Sequence, residues 1–373
     1  MKNKIKVIPV VLFLSILMMI VSCGKQKSEW EGTIEEENGV TVVKNPKEPM
    51  YKEDVFSLEE ELSIGEAEGR EEYMFLEVQS IAADDEERIY VLDYKANSVK
   101  IFGRNGDFIK KFGREGRGPG EFFVPSTIII TKESEIMVQN IFNLSFFSLE
   151  GEFKESISSA KESLGPINID SEGNIIGPTI VRDKENPRYE LKKFGPKLNH
   201  LYSLDFSPLP DAIRDGFNPF FPGLRWCLIN GNQVVCGYMK EYELRIFDAK
   251  GNLIRKILKD YIPVKVTQED VDKRLEGKEL PPQLKERMAI PEYHCPFRWL
   301  ISDDEGRIFV LTYERVSEKE GYYYDVFDAE GKYIVKVALK TRPFLFKNNK
   351  LYTVEEDEEG YQYVKRYKVI WKY

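Results

Sequence analysis

Residues 80–113 read SIAADDEERIYVLDYKANSVKIFGRNGDFIKKFG. An apolar strand ends in an acidic turn at 84–87, a Val/Ile/Tyr strand follows, and a last hairpin turns at Asn105 and Gly106. Apolar and polar residues alternate within each piece, which is the period of a pleated strand with two faces. The stretch therefore predicts four short antiparallel strands. Its ending recurs. Phe102 and Gly106, Phe147 and Gly151, Phe247 and Gly251, and Phe327 and Gly331 each write Phe-x-x-x-Gly, at spacings of 45, 100 and 80 residues. These spacings read as one, two and two units with some insertion. A period in the forties, built from short strands and glycine turns, marks propeller blades.

Working outward, a second blade runs over about 125–157, and a third starts at 167–177 with a turn at Gly173. The outer hairpin of the third is degenerate, keeping Phe194 but placing Leu198 where glycine is expected. A fourth blade starts near Trp226, a fifth spans 299–338, and 343–373 supply strands for a sixth. Arg225-Trp226 and Arg298-Trp299 open the fourth and fifth blades alike. The expected fold is all-β: a six-bladed propeller of four-stranded blades over 39–373, with five or seven as alternative counts. The β-branched run GVTVVKNP at 39–46 is assigned to the final blade, where an N-terminal strand would close the ring. One segment breaks the pattern. Residues 262–289 have helix-forming composition, a cap candidate at Thr267 and a break at Pro281-Pro282, predicting two short helices inserted on one face.

The chain has 373 residues, 13 % of them aromatic, and a net charge of −9. That acidity argues against nucleic acid as a partner, since phosphate binding needs clustered Lys and Arg. At the start, three lysines precede an apolar run from Val7 to Val21, the layout of a signal peptide. The run ends in Ile20-Val21-Ser22-Cys23-Gly24, which resembles the bacterial lipobox. The resemblance implies a signal peptide at 1–22, lipidation of Cys23, a flexible tether at 23–38, and anchoring to a bacterial membrane. Gly rather than Asp at position 24 favours the outer membrane by the same resemblance. In an exported chain, Cys227 and Cys236 are a possible disulfide. A two-residue loop at Gly231-Asn232 would set them opposite each other. A turn centred on Asn230-Gly231 would mispair them and leave two buried thiols.

At 112–125 the chain reads FGREGRGPGEFFVP, in which Gly116, Gly118, Pro119, Gly120, Phe122 and Pro125 match the inter-blade segment of NHL-repeat propellers. With the lipobox and the blade count, the chain resembles the six-bladed propeller lipoproteins of Bacteroidetes-like bacteria. That resemblance implies a fold and an export route, not one activity. NHL-type lyases imply several histidines around a channel metal, whereas this chain has only His200 and His294. Propeller lactonases imply calcium held by carboxylates. Asp84, Asp170 and Asp303 occupy similar turn positions, and turn formation explains them. No catalytic residue and no cofactor are assigned. The expected function is a lipid-anchored, monomeric binding module for a protein, peptide or glycan of the cell envelope. Its candidate contacts are Phe217, Phe220, Phe221, Arg225 and Trp226, for which packing between blades is the competing role. The alternative is a calcium-dependent hydrolase or lyase acting at the central channel.

Overall fold

The computed structural model describes residues 29–211, 216–316 and 321–373. Cys23 and the leader lie outside the described residues.

Six antiparallel sheets stand around a central axis. Blade 1 spans 78–112, blade 2 spans 127–158, blade 3 spans 168–208, blade 4 spans 224–259 and blade 5 spans 299–339. Blade 6 takes three strands from the end of the chain (Pro343–Lys347, Lys350–Glu356, Gln362–Trp371) and its outer strand from the beginning (Phe56–Ile64). This last pairing closes the ring. One apolar cluster fills each of the six interfaces between neighbouring blades. The clusters on either side of blade 3 have five buried members each, against ten to thirteen in the others, so blade 3 is the least firmly held.

The recurring hairpin explains the tight stacking. In all five hairpins that lead to an outer strand the register slips at the phenylalanine, at Phe102, Phe147, Phe194, Phe247 and Phe327. The residue four places on adopts a left-handed backbone: φ is 86° at Gly106, 79° at Gly151, 85° at Gly251 and 88° at Gly331. This is a turn closed by a one-residue bulge, a conformation that favours glycine. Space demands glycine as well. A Cβ on Gly151 would lie 2.5 Å from the Phe112 ring, one on Gly251 2.7 Å from Tyr202, and one on Gly331 2.7 Å from Ile257. Each of these neighbours belongs to the outer strand of the preceding blade. The degenerate copy makes the same turn with Leu198 at φ 60°. Blade 6 has no such hairpin because its outer strand arrives from the other end of the chain.

Three expectations need correction. The run at 39–46 does not close the ring: Val40–Asn45 adds a fifth strand, parallel, to the outer edge of blade 4. The closing strand FSLEEELSI is masked in the sequence by its glutamates. An outer strand faces water on one side, and there Glu60 pairs with Lys365 and Glu61 with Lys350. The tether is also shorter than 23–38, because Thr33–Glu37 forms a sixth strand beyond Val40–Asn45. Its residues are all exposed, and three are glutamates, a charged edge that discourages further pairing. Finally, Cys227 and Cys236 are free. The hairpin sets Cys227 opposite Val235 and Trp226 opposite Cys236, so the two thiols fall on opposite faces of the sheet. Cys227 packs toward blade 5, while Cys236 lies in the blade 3–4 interface and donates to Asp205 Oδ2 at 3.3 Å. Burial pushes the Cys227 thiol up to about 12.

Candidate functional site

Strand direction alternates within a blade, so every connection from an outer strand to the next inner strand lies on one face of the ring. The longest such connection joins blade 4 to blade 5. After Lys259 the chain forms helix α1 (Gln268–Leu275) and helix α2 (Pro282–Glu286) before reaching the inner strand of blade 5 at Trp299. The start of α1 is well determined by its sequence. Thr267 accepts from the Asp270 backbone N–H, and the Asp270 carboxylate accepts from the Thr267 backbone N–H, a reciprocal cap. The insertion is then sewn down. Val266 N–H donates to Glu292 O at 3.0 Å, His294 N–H to Val264 O at 2.8 Å, and Ala289 N–H to Phe217 O at 2.9 Å.

The insertion roofs a cleft of about 310 Å³ between blades 4 and 5. Phe220, Arg225 and Met239 form one wall, and Asp270, Lys273 and Arg274 of α1 the roof. His294, Arg298, Tyr313, Arg315 and Tyr322 complete it. Arg225 is fixed by two backbone acceptors, Nε on Arg298 O at 2.8 Å and Nη1 on Leu224 O at 3.1 Å. The Arg298 guanidinium lies over Tyr322 at 4.6 Å and Tyr313 at 5.1 Å. His294 stacks on Tyr313 at 4.0 Å and meets the edge of Phe220 at 5.0 Å. Burial holds the Arg225 guanidinium below its ordinary range, and the nearby Arg274 adds to the effect. Burial likewise lowers His294, against the opposing pull of Asp270. For Asp270, burial alone would raise the carboxyl. Hydrogen bonds from Thr267 and His294, with the charge of Arg315, outweigh it and hold the group at about 2.

Of the candidate contacts, the structure brings Phe220 and Arg225 to the cleft. Trp226 packs between blades 3 and 4 instead. Phe217 is taken up in the bridge to the insertion, and Phe221 N–H closes a turn on Asn218 O. Gly116, Gly118, Pro119, Gly120, Phe122 and Pro125 lie in the crossing from blade 1 to blade 2. There Phe122 is fully buried against Phe112 and Phe147. His200 is exposed at the outer edge of blade 3. Arg274, Arg298, Arg315, Tyr313 and Tyr322 were not among the expected contacts. One signal did point there: the Arg-Trp pairs at 225–226 and 298–299 place both arginines at the start of an inner strand.

The central channel is wider, about 560 Å³, and opens on the opposite face. Its walls are Ser80, Ala82, Thr127, Ile129, Asn168 and Leu345, with Asp85 and Lys347 paired at 2.8 Å on the rim. The turn carboxylates Asp84, Asp170 and Asp303 are committed locally, and of the three only Asp84 lines this channel. Asp84 accepts from the backbone of Glu86 and Arg88 and from Arg88 Nε and Tyr90 OH. Asp170 accepts from the backbone of Glu172 and Asn174 and from Lys193 Nζ. Asp303 accepts from Glu305, Arg307 and the Arg307 side chain. These are turn-forming roles.

The architecture has counterparts. A family model described as a 6-bladed β-propeller, DUF5128, matches residues 37–172. No curated protein matches the sequence. Among solved structures, an exported-protein candidate from Bacteroides fragilis NCTC 9343 is similar, with 11 % identity over 89 % of this chain and 100 % of that one, at a TM-score of 0.58. A DUF4221 member from Bacteroides vulgatus ATCC 8482 is 14 % identical over 86 % of this chain and 100 % of its own, at a TM-score of 0.55. At these identities the likeness is one of fold.

Proposed function

We propose that the protein is a lipid-anchored recognition module of the bacterial cell envelope, monomeric and non-catalytic, that binds its ligand in the cleft between blades 4 and 5. The observation that carries this reading is the cleft itself: a wall of two blades, roofed by an insertion, presents guanidinium groups fixed by backbone carbonyls and tyrosine faces, with no carboxylate partner among the described residues. Preorganised side chains lose little freedom on binding, which suits recognition. Export and anchoring are supported by the lipobox-like Val21-Ser22-Cys23, and export also fits the name of the Bacteroides fragilis protein of like fold.

The test has two arms. In a bacterium that processes lipoproteins, Cys23→Ser should move the protein from the membrane fraction to the soluble fraction. Immobilised full chain should retain envelope material that an Arg225→Gln/Arg298→Gln variant does not, with circular dichroism confirming that the variant is folded. Equal retention by the folded variant and the wild type would remove the cleft as the recognition site. Continued membrane association of Cys23→Ser would remove the anchor.

A further inference from the structure

We infer that the cleft is an oxyanion site, taking the carboxylate or phosphate of a small ligand such as an acidic sugar unit. This rests on the cleft being the recognition site, and it adds the chemistry of what enters.

Cations dominate the cleft, and they are not equally engaged. Lys273 pairs with Glu269 at 2.8 Å, and Arg315 pairs with Glu269 at 3.2 Å and Asp270 at 2.5 Å. Among the described residues, Arg225, Arg274 and Arg298 have no carboxylate partner. Arg225 bonds two backbone carbonyls, Arg274 Nε bonds Pro219 O at 3.0 Å, and Arg298 lies on tyrosine faces. Arg274 lies near enough to Arg225 for the two charges to oppose each other, in a chain whose net charge is −9. Acidic side chains abound to neutralise them elsewhere on the surface, yet none does so here. An incoming oxyanion would relieve the repulsion, and a planar guanidinium fork matches both carboxylate and phosphate geometry.

His294 helps to engage Asp270, the carboxylate that lines the cleft. His294 is 6 % exposed. Its Nε2 faces Asp270 Oδ2 at 3.2 Å, so Nε2 carries a proton toward that carboxylate. The other ring nitrogen, Nδ1, is buried and has no partner. A buried polar atom left unpaired is costly. Nδ1 is closed off by the packing of the ring against Tyr313 and Phe220, so contact with a ligand falls to the arginines. The volume, about 310 Å³, fits a group of sugar size and not a duplex or a folded chain.

The full chain, purified in detergent, is titrated calorimetrically with trigalacturonate, glucose 6-phosphate and glucose. The inference expects at least one of the two anions to bind, glucose to bind at least tenfold more weakly, and Arg298→Gln and Arg225→Gln each to weaken the anion at least tenfold. Added salt should weaken it further. Trigalacturonate alone would identify a carboxylate ligand, glucose 6-phosphate alone a phosphate ligand. Binding of neither anion, equal binding of glucose, or unchanged binding by both folded variants would overturn the inference. If the arginine variants still lose envelope material while neither anion binds, the cleft stands and its oxyanion chemistry fails. If retention is unaffected as well, both readings fail together.

Discussion

Gly151 lacks a side chain for two separate reasons. Its φ of 79° is one that L-residues adopt at a cost of about 1–2 kcal/mol, and a Cβ would strike the Phe112 ring at 2.5 Å. The ring is itself packed against Phe122 and Phe147, so it cannot withdraw cheaply. Gly151→Ala should therefore destabilise by about 2–4 kcal/mol, the sum of backbone strain and overpacking. Gly106→Ala should cost less, about 1–2 kcal/mol, because its obstacle is the flexible end of Leu62 at 3.0 Å. Leu198→Gly removes the strain but forfeits packing against the blade 2–3 cluster, so its net effect should lie within about 1 kcal/mol of zero. Urea midpoints of the three variants would check the order, and equal losses for Gly151→Ala and Gly106→Ala would contradict it. This motif was the most legible part of the chain, since backbone and neighbour both restrict the position to one residue type. Leu198 shows the limit: the same turn forms where packing compensates, and the pattern alone then loses the blade.

Helix α1 is short and polar, with Val271 its one buried residue, so its termini matter more than its packing. Asp270 serves it three times, capping Thr267, pairing Arg315 and facing His294. Asp270→Asn should cost the helix about 1 kcal/mol, seen as faster amide exchange over 268–275 with little change in global stability. The pH dependence follows from the two shifts. Asp270 is depressed, so its contribution is complete above the ordinary carboxylate value of 3.8 and fades as pH falls toward about 2. His294 is also depressed. The unfolded chain takes up its proton first, and stability declines as pH falls below the ordinary 6.5. Protection factors over α1, taken relative to the intrinsic exchange rate at each pH, should accordingly fall in mild acid before those of the rest of the ring; a uniform response would contradict this. The helices and the Thr267 cap could be read from composition and spacing. The cleft beneath them could not, because Arg225, Arg274 and Arg298 are 73 residues apart at the extremes and meet only through the crossing between two blades.

Ring closure depends on pairing between chain ends, which no local pattern reports. Six blades were countable, but the choice of closing strand turned on burial: GVTVVKNP looks the better strand, whereas FSLEEELSI holds the position that joins blade 6 to blade 1. Removing 1–38 takes away the exposed outermost strand and the Trp30 contact with Asn45, and should cost only about 1–2 kcal/mol while leaving the ring closed. Removing 1–65 opens the ring and should abolish the cooperative thermal transition; a sharp melt in that truncation would show that Phe56–Ile64 is dispensable. The added strands of blade 4 also settle a question of height. Register sets Thr33 opposite Lys44, Lys44 opposite Leu258 and Asn45 opposite Lys259, and Trp30 Nε1 reaches Asn45 at 2.9 Å. The chain thus joins the ring on the same side, and at the same blade, as the roofed cleft. With Cys23 as the point of lipid attachment, the stretch to Glu29 spans at most about 20 Å. Were Cys23 to carry lipid as proposed, the molecule would patrol a shallow layer just above the headgroups, with its opening turned toward the surface that holds it.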